Sequence, residues 1–238
     1  MSNRPHNAPE NFDWITAAYS WFPGEDRLQV MAETAAGESV PVLFHPLTPD
    51  IWRIRFSPNP EGEWEDSPAR IPAGLNEKPV FSSNNDEIMV TGANLTLKLR
   101  AKPWRILFGN DFEQDIFREN PEDVDGLGRP FVLPLGYVRD KNGVRKVTFS
   151  FHLRPDERLY GLGEKFLPLN KMGQRIVSWT RDALGSTSEK SHKNIPFLWS
   201  TRGMDFSLIQ PPGSPGSWEW SPVRVRRSRS NLKIWICI

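Results

Sequence analysis

Two groups of acidic residues have the alternating spacing that could bring carboxylates together. They are Asp111, Glu113 and Asp115, and Glu61, Glu63 and Glu65. Two carboxylates at a suitable separation can act as acid and as base or nucleophile in bond hydrolysis. Alternation along a strand also places like charges on one face, which is typical of a solvated surface. We therefore assign no catalytic residue to either group.

The residues that bind metals are too few and too scattered to predict a metal site. The histidines are His6, His45, His152 and His192, and Cys237 is the only cysteine. Structural zinc sites need several His or Cys ligands at short spacing, and an internal disulfide needs two thiols. Asp123-x-Asp125-Gly126 resembles the start of a calcium loop without its remaining ligands. We predict no metal and no cofactor.

A glycine-rich segment, Tyr160-Gly-Leu-Gly-Glu-Lys-Phe166, superficially resembles a dinucleotide-binding loop. Phe166 stands where the third glycine would be needed, and no helical pattern follows to present its positive end to a pyrophosphate. The two glycines are expected instead to permit unusual backbone angles or close packing at the end of a strand.

Tryptophans can fill a core or stack on sugar rings. Trp52 and Trp104 lie in alternating strand patterns, which predicts that they are core residues. Trp64 lies in an acidic loop and Trp179 ends a strand before a polar loop, so these two are the better surface candidates.

The C-terminal part carries a basic cluster, Arg224-Val-Arg-Arg-Ser-Arg229, in a chain whose net charge is only +1. Such a cluster could contact phosphate groups, but one cluster is weak support for a nucleic-acid partner. We predict no nucleic-acid partner.

The elements that must position these residues are strands. Apolar residues alternate with polar ones in segments 52–56, 95–100 and 147–153, and turn signals such as Lys141-Asn-Gly143 separate the segments. The 22 prolines oppose long helices. This pattern predicts an all-β sandwich with little helix.

Composition shifts divide the chain into three predicted parts. They are an N-terminal extension (1–24), a β-sandwich domain (25–210) and an atypical Pro/Ser/Arg-rich C-terminal tail (211–238). No segment resembles a secretory signal or an apolar span of about 20 residues, so we expect a cytoplasmic location and no membrane partner. An oligomer of identical chains remains open.

Several ordered motifs between residues 147 and 203 resemble glycoside hydrolase family 31. They are Val147-Thr-Phe-Ser-Phe-His-Leu153, Asp156-Glu-Arg-Leu-Tyr-Gly-Leu-Gly-Glu-Lys-Phe166, Leu169-Asn-Lys-Met-Gly-Gln174, Trp179-Thr-Arg-Asp182, Ser191-His-Lys-Asn-Ile-Pro-Phe197 and Ser200-Thr-Arg-Gly203. The Lys-Asn-Ile-Pro-Phe stretch is closer to the α-xylosidases of that family than to its α-glucosidases. Segments 50–56 and 91–97 resemble its early strands more loosely.

The resemblance implies a galactose-mutarotase-like supersandwich that precedes a (β/α)8 barrel. In the family, that barrel carries both catalytic carboxylates and needs about 250 residues. It also implies that Asp182, with Trp179 beside it, lies in a loop that contacts sugar hydroxyls. Asp182 could instead simply initiate a turn at Asp182-Ala-Leu-Gly185.

The resemblance weakens after Gly203. The family usually continues with an aromatic-Gly pair, whereas this chain reads Met204-Asp-Phe-Ser. The biased composition of segment 211–230 favours the hypothesis of a truncated or misframed gene product.

We interpret the chain as the scaffold and carbohydrate-binding part of a retaining α-glycosidase, and we expect it to be inactive alone. Its expected ligand is a saccharide with a terminal α-linked xylosyl or glucosyl unit. The main alternative is a free-standing carbohydrate-binding module. An aldose epimerase would need a converging histidine and carboxylate, and none of the histidines lies in such a motif. A third alternative, a non-enzymatic subunit that binds another protein, is supported only by the basic cluster in the tail.

Overall fold

Strands are the only regular elements in the part of the chain that the structure describes, which confirms the all-β prediction. A computed structural model describes residues 4–5, 8–58, 78–109, 115–119, 133–139, 141, 143, 145–154, 156–174, 176–178, 185, 191–207, 218–224 and 232–237. The strands are β1 Phe12–Pro23, β2 Leu28–Thr34, β3 Ser39–Pro46, β4 Trp52–Phe56, β5 Val80–Ser83, β6 Glu87–Thr91, β7 Thr96–Arg100, β8 Arg105–Gly109, β9 Asp115–Arg118, β10 Gly136–Arg139, β11 Arg145–Leu153, β12 Leu159–Gly161, β13 Ile176–Ser178, β14 Phe197–Ser200, β15 Asp205–Ser207, β16 Trp218–Arg224 and β17 Leu232–Cys237. Among these residues, no helix is long and apolar enough to cross a membrane.

The strands form three antiparallel sheets. A nine-stranded sheet has the order β13-β16-β17-β11-β10-β1-β2-β3-β4, and a five-stranded sheet runs from β5 to β9 in chain order. The third sheet has three strands in the order β12-β14-β15. Neighbours in the sheets are often neighbours in the chain, as the short turns between the predicted strands require.

The two larger sheets pack face to face around the apolar side of the alternating strands. In β7, Leu97 and Leu99 are fully buried, while Lys98 between them is only partly covered. Trp104 is fully buried and its ring lies 6.4 Å from that of Phe44, which confirms its prediction as a core residue. Trp52 is partly buried and meets Phe108 edge-on at 5.2 Å.

Phe117 of β9 lies where all three sheets meet. Its ring centroid is 5.8 Å from Phe108 in the five-stranded sheet and 5.5 Å from Phe151 in the nine-stranded sheet. Phe206 of the three-stranded sheet lies 5.3 Å away and stacks on Phe151 at 4.4 Å. The small sheet is therefore attached to the sandwich through aromatic packing.

Strand β1 differs from the sequence prediction, which treats residues 1–24 as an extension. β1 lies inside the nine-stranded sheet, between β10 and β2. Two register shifts, between Ile15 and Ala17 and between Ala18 and Ser20, interrupt its pairing with β2 and obscure the period of two. Gly136 permits the pairing with β10, because a Cβ atom there would lie 2.3 Å from the Asp13 carbonyl oxygen.

The C-terminal segment also contains strands, although the sequence analysis sets residues 211–238 apart as an atypical tail. β17 pairs with β11 from Thr148 opposite Cys237 to Leu153 opposite Leu232. β16 lies between β17 and β13. The biased composition of segment 211–230 hid β16 from the sequence analysis.

Candidate functional site

The two residues predicted to contact a saccharide lie outside the described residues. Trp179 and Asp182 belong to segment 179–184, and the loop tryptophan Trp64 belongs to segment 59–77; neither segment is described. The described residues that flank the first pair in the chain are β13 on one side and, on the other, Gly185 followed by segment 191–207. The candidate site is therefore built from the elements that hold these flanks.

The glycine-rich segment forms one half of this region. Gly161, Leu162 and Gly163 all have positive φ, at 120°, 70° and 80°. A Cβ atom on Gly163 would lie 2.0 Å from the carbonyl oxygen of Lys193, and one on Gly161 would lie 2.4 Å from that of Phe197. Only glycine fits at both positions, which agrees with the predicted close packing at a strand end.

Segment 191–197 forms the other half. The backbone N–H groups of Leu162 and Glu164 donate to the carbonyl oxygens of Phe197 and Lys193, at 2.8 and 3.1 Å. We call residues 161–165 together with 191–197 the Gly-Leu-Gly clamp. The second half of the clamp begins at Ser191, nine residues after Asp182 in the chain.

Side chains reinforce the clamp. The Lys165 ammonium donates to Asn194 Oδ1 at 2.6 Å, and Asn194 Nδ2 donates to the Ser191 carbonyl oxygen at 2.8 Å. Lys193 and Glu164 form an exposed ion pair at 3.5 Å, which contributes little on its own. Sequence reasoning did not single out Lys165 or Asn194, although both lie in the motifs that carry the family resemblance.

A second loop, residues 167–174, packs beside the clamp and is closed by its own polar side chains. The Lys171 ammonium donates to the Pro168 carbonyl oxygen at 2.8 Å, and Gln174 donates to the same oxygen at 3.2 Å. Burial lowers the pKa of Lys171. The loop holds Leu169 at its surface with 80% of its area exposed.

The three-stranded sheet and these loops present a set of exposed apolar side chains. The set is Phe166, Leu169, Ile195, Phe197 and Trp199. Exposed apolar side chains that form one patch usually mark a place where another molecule binds.

Glu119 is a buried acid whose role is structural. Its two carboxylate oxygens accept hydrogen bonds from the backbone N–H groups of Ile106 and Leu135, each at 3.0 Å. Complete burial raises its pKa to about 7. Ile106 belongs to the five-stranded sheet and Leu135 precedes β10 of the nine-stranded sheet, so Glu119 joins the two sheets.

The histidines in the described part of the chain are engaged in contacts or exposed. His45 Nε2 lies 3.2 Å from Asp26, and burial lowers the His45 pKa. His192 is exposed, whereas His152 is partly buried. In the described part of the chain, no group of three or more His, Cys, Asp or Glu residues could hold a metal ion.

Comparison with known proteins identifies the family. Residues 41–207 match the glycosyl hydrolase 31 N-terminal galactose mutarotase-like domain, and the chain therefore belongs to that domain family. An α-xylosidase of Emericella nidulans is 51% identical over 55 residues, which are 23% of this chain and 7% of that enzyme.

Solved structures show the same fold. A dextranase of Flavobacterium johnsoniae, in complex with isomaltotriose, has a TM-score of 0.70 at 15% identity. The comparison covers 94% of this chain and 26% of the dextranase. An α-xylosidase from a soil metagenome, in complex with xylose, has a TM-score of 0.62 at 18% identity over 92% of this chain and 32% of the enzyme. The chain thus spans a third or less of the length of each of these three relatives.

Proposed function

We propose that this chain provides the N-terminal, substrate-lining domain of a retaining α-glycosidase that removes terminal α-xylosyl or α-glucosyl units. The observation that carries the proposal is the clamp: two motifs of the family resemblance meet in space there, and one of them begins nine residues after Asp182 in the chain. The match of residues 41–207 to the family and the α-xylosidase relatives support the same class of substrate.

In this proposal, the catalytic carboxylates lie in a (β/α)8 domain outside the β-sandwich. The three exposed apolar residues of the loops, Phe166, Leu169 and Ile195, are proposed to pack against that domain. Leu169 is suited to this role because the hydrogen bonds of Lys171 and Gln174 hold its loop in place before binding.

The role proposed for Asp182 is to accept hydrogen bonds from sugar hydroxyls. An ionised carboxylate accepts two such bonds strongly and can select a particular pair of adjacent hydroxyls. The domain would then contribute to substrate binding, while the chemistry would proceed through a covalent glycosyl intermediate in the catalytic domain.

The first experiment assays the purified chain on p-nitrophenyl α-xyloside and α-glucoside. We expect no turnover, because the proposal places both catalytic carboxylates elsewhere. Turnover that co-purifies with the chain and is lost on substitution of one of its own carboxylates would contradict the proposal.

The second experiment replaces the N-terminal domain of the E. nidulans α-xylosidase with residues 1–207, which keep β1 and β2 beside β3. Asp182→Ala in this chimera is expected to raise KM about 10- to 100-fold, the effect of losing a charge-assisted hydrogen bond. The control is Asp86→Ala, an exposed position in the turn between β5 and β6, which is expected to leave KM unchanged. An unchanged KM in Asp182→Ala, in a chimera that is folded and active, would refute the role of Asp182.

A further inference from the structure

The exposed face of the three-stranded sheet carries a combination of side chains that the clamp and the loops do not use. In the strand register, Trp199 of β14 lies opposite Tyr160 of β12 and opposite Asp205 of β15. Residues directly opposite each other in an antiparallel sheet project to the same face. Tyr160, Trp199 and Asp205 therefore form a row across all three strands.

The aromatic part of the row is preassembled. The Tyr160 and Trp199 rings stack with their centroids 4.6 Å apart and their planes 27° apart. Trp199 still has 42% of its area exposed. Because Leu198 and Ser200 on either side of it are buried, the exposure follows from strand alternation and not from fraying.

The polar part of the row is a carboxylate. The Asp205 side chain is exposed and forms no hydrogen bond or ion pair with any described residue. Because β14 lies between β12 and β15, Asp205 lies on the side of Trp199 away from Tyr160. Ser207, also exposed, lies two residues further along β15 and opposite Phe197.

The backbone beneath this row is held in place. The Ser200 hydroxyl donates to the buried Glu157 carboxylate, and the Ser200 N–H donates to the Met204 carbonyl oxygen at 2.8 Å. Thr201 donates through its backbone to the Arg158 carbonyl oxygen at 3.0 Å. The turn between β14 and β15 is thus tied to the start of β12, and the row needs no reordering to bind a ligand.

We propose that Tyr160, Trp199 and Asp205 form a saccharide-binding surface on the three-stranded sheet, separate from the segment that contains Asp182. A pyranose ring offers an apolar C–H face that stacks on an indole, and hydroxyl groups at its edge that donate to a carboxylate. A phosphate-bearing ligand would be repelled by Asp205.

The size of the surface also favours a small ligand. Adjacent strands lie about 4.8 Å apart, so the row spans about 10 Å. A stable protein interface buries about 800 Å² on each partner, far more than this row provides. A short saccharide matches the row in both dimension and chemistry. The surface belongs to this domain and does not depend on the proposed role of Asp182 or on a catalytic domain.

The test titrates isomaltotriose and xylose into the full 238-residue chain and follows tryptophan fluorescence and calorimetric heat. We expect a dissociation constant on the order of 1 mM, the range of a small, exposed contact. Sorbitol, which has hydroxyl groups but no ring face, is expected to bind at least about tenfold more weakly.

Variants separate the proposed surface from other aromatic sites. Trp199→Ala and Asp205→Asn are each expected to weaken binding about tenfold or more, whereas Phe166→Ala, a matched exposed aromatic outside the row, is expected to leave it unchanged. Trp199→Phe is expected to restore part of the affinity. Thermal unfolding of each variant verifies that it is folded.

Three results would overturn the proposal. They are absence of saccharide binding at about 10 mM ligand, binding that survives both substitutions, and a Trp199→Ala variant whose only change is loss of self-association. The last result would identify the row as a protein interface. The proposed role of Asp182 is tested by KM in an active chimera, whereas this surface is tested by Trp199 and Asp205 variants of the chain alone, so failure of one proposal is distinguishable from failure of the other.

Discussion

The two-sheet sandwich and the three-stranded sheet use similar residues for opposite purposes. Between the two larger sheets, Trp104, Phe44 and Leu99 are fully buried. On the small sheet and its loops, Trp199, Phe166 and Leu169 are exposed over 42%, 61% and 80% of their areas. The small sheet also shares the core, through Leu159, Leu198 and Met204, but its outer face and loops are shaped by glycines and backbone hydrogen bonds.

This difference predicts that the two regions respond differently to substitution. A region that depends on burial is sensitive to side-chain volume, since cavities are costly in a packed core. A region held by backbone geometry can present large apolar side chains to solvent, and these then remain available to a ligand or another domain.

The comparison is tested most strongly by truncating two phenylalanines. Phe117→Ala removes the ring that joins the three sheets and is expected to lower the free energy of unfolding by about 3–5 kcal/mol. Phe166→Ala, at a position 61% exposed, is expected to change it by less than about 0.5 kcal/mol. Urea unfolding followed by tryptophan fluorescence measures both; equal effects would contradict the division between the regions.

Substitution of two glycines with similar φ tests whether close backbone packing in the clamp is what requires glycine. Gly163→Ala adds a Cβ atom 2.0 Å from the Lys193 carbonyl oxygen, at φ +80°, and is expected to cost about 3 kcal/mol. Gly173→Ala has φ +75° and no atom within 4 Å of the added Cβ, so only the conformational cost of about 1 kcal/mol remains.

Thermal unfolding of the two glycine variants separates contact from backbone angle. A loss of 3 kcal/mol corresponds to a decrease in Tm of about 6–12 °C for a chain of this size. If both variants lose the same stability, the close packing of the clamp is not what requires glycine at position 163.

The junction between the two larger sheets is expected to respond to pH through Glu119. Its pKa is about 7 in the folded chain against an ordinary 4.5, so the folded chain binds this proton more tightly. The stabilisation is therefore complete below pH 4.5 and is lost as pH rises through 7, a decrease of about 2–3 kcal/mol in the free energy of unfolding.

Glu119→Gln isolates this effect because it cannot titrate. The variant is less stable, since one accepting oxygen is replaced by a donor that faces a backbone N–H, but its stability is expected to vary less between pH 5 and 8. A carboxyl NMR titration of Glu119 in the unaltered chain provides a second measurement. A midpoint near 4.5 would contradict the prediction.

The smallest expected effect concerns the surface of the loops. Leu169→Ser is expected to change the stability of the chain by less than about 0.5 kcal/mol, because Leu169 is 80% exposed. In the chimera with the E. nidulans enzyme, the same substitution is expected to lower Tm, because it removes an apolar contact with the catalytic domain. A chimera with unchanged Tm would exclude Leu169 from that interface.

Sequence alone determined the β class, most strand positions and the core tryptophans. Alternation in segments such as 95–100 was sufficient, since one buried face imposes a period of two on the residues. It also predicted that the glycines near residue 162 serve close packing. The motifs of segment 147–203 indicated the family that the match over residues 41–207 confirms.

Tertiary structure decided what no local pattern encodes. β1 became a central strand through pairings that bulges and Gly136 allow, and Glu119 acquired its perturbed pKa from burial between two sheets. The row of Tyr160, Trp199 and Asp205 exists only because strand register brings together residues up to 45 positions apart. Periodicity reports which face of a strand is buried, whereas pairing between distant strands determines which exposed side chains become neighbours.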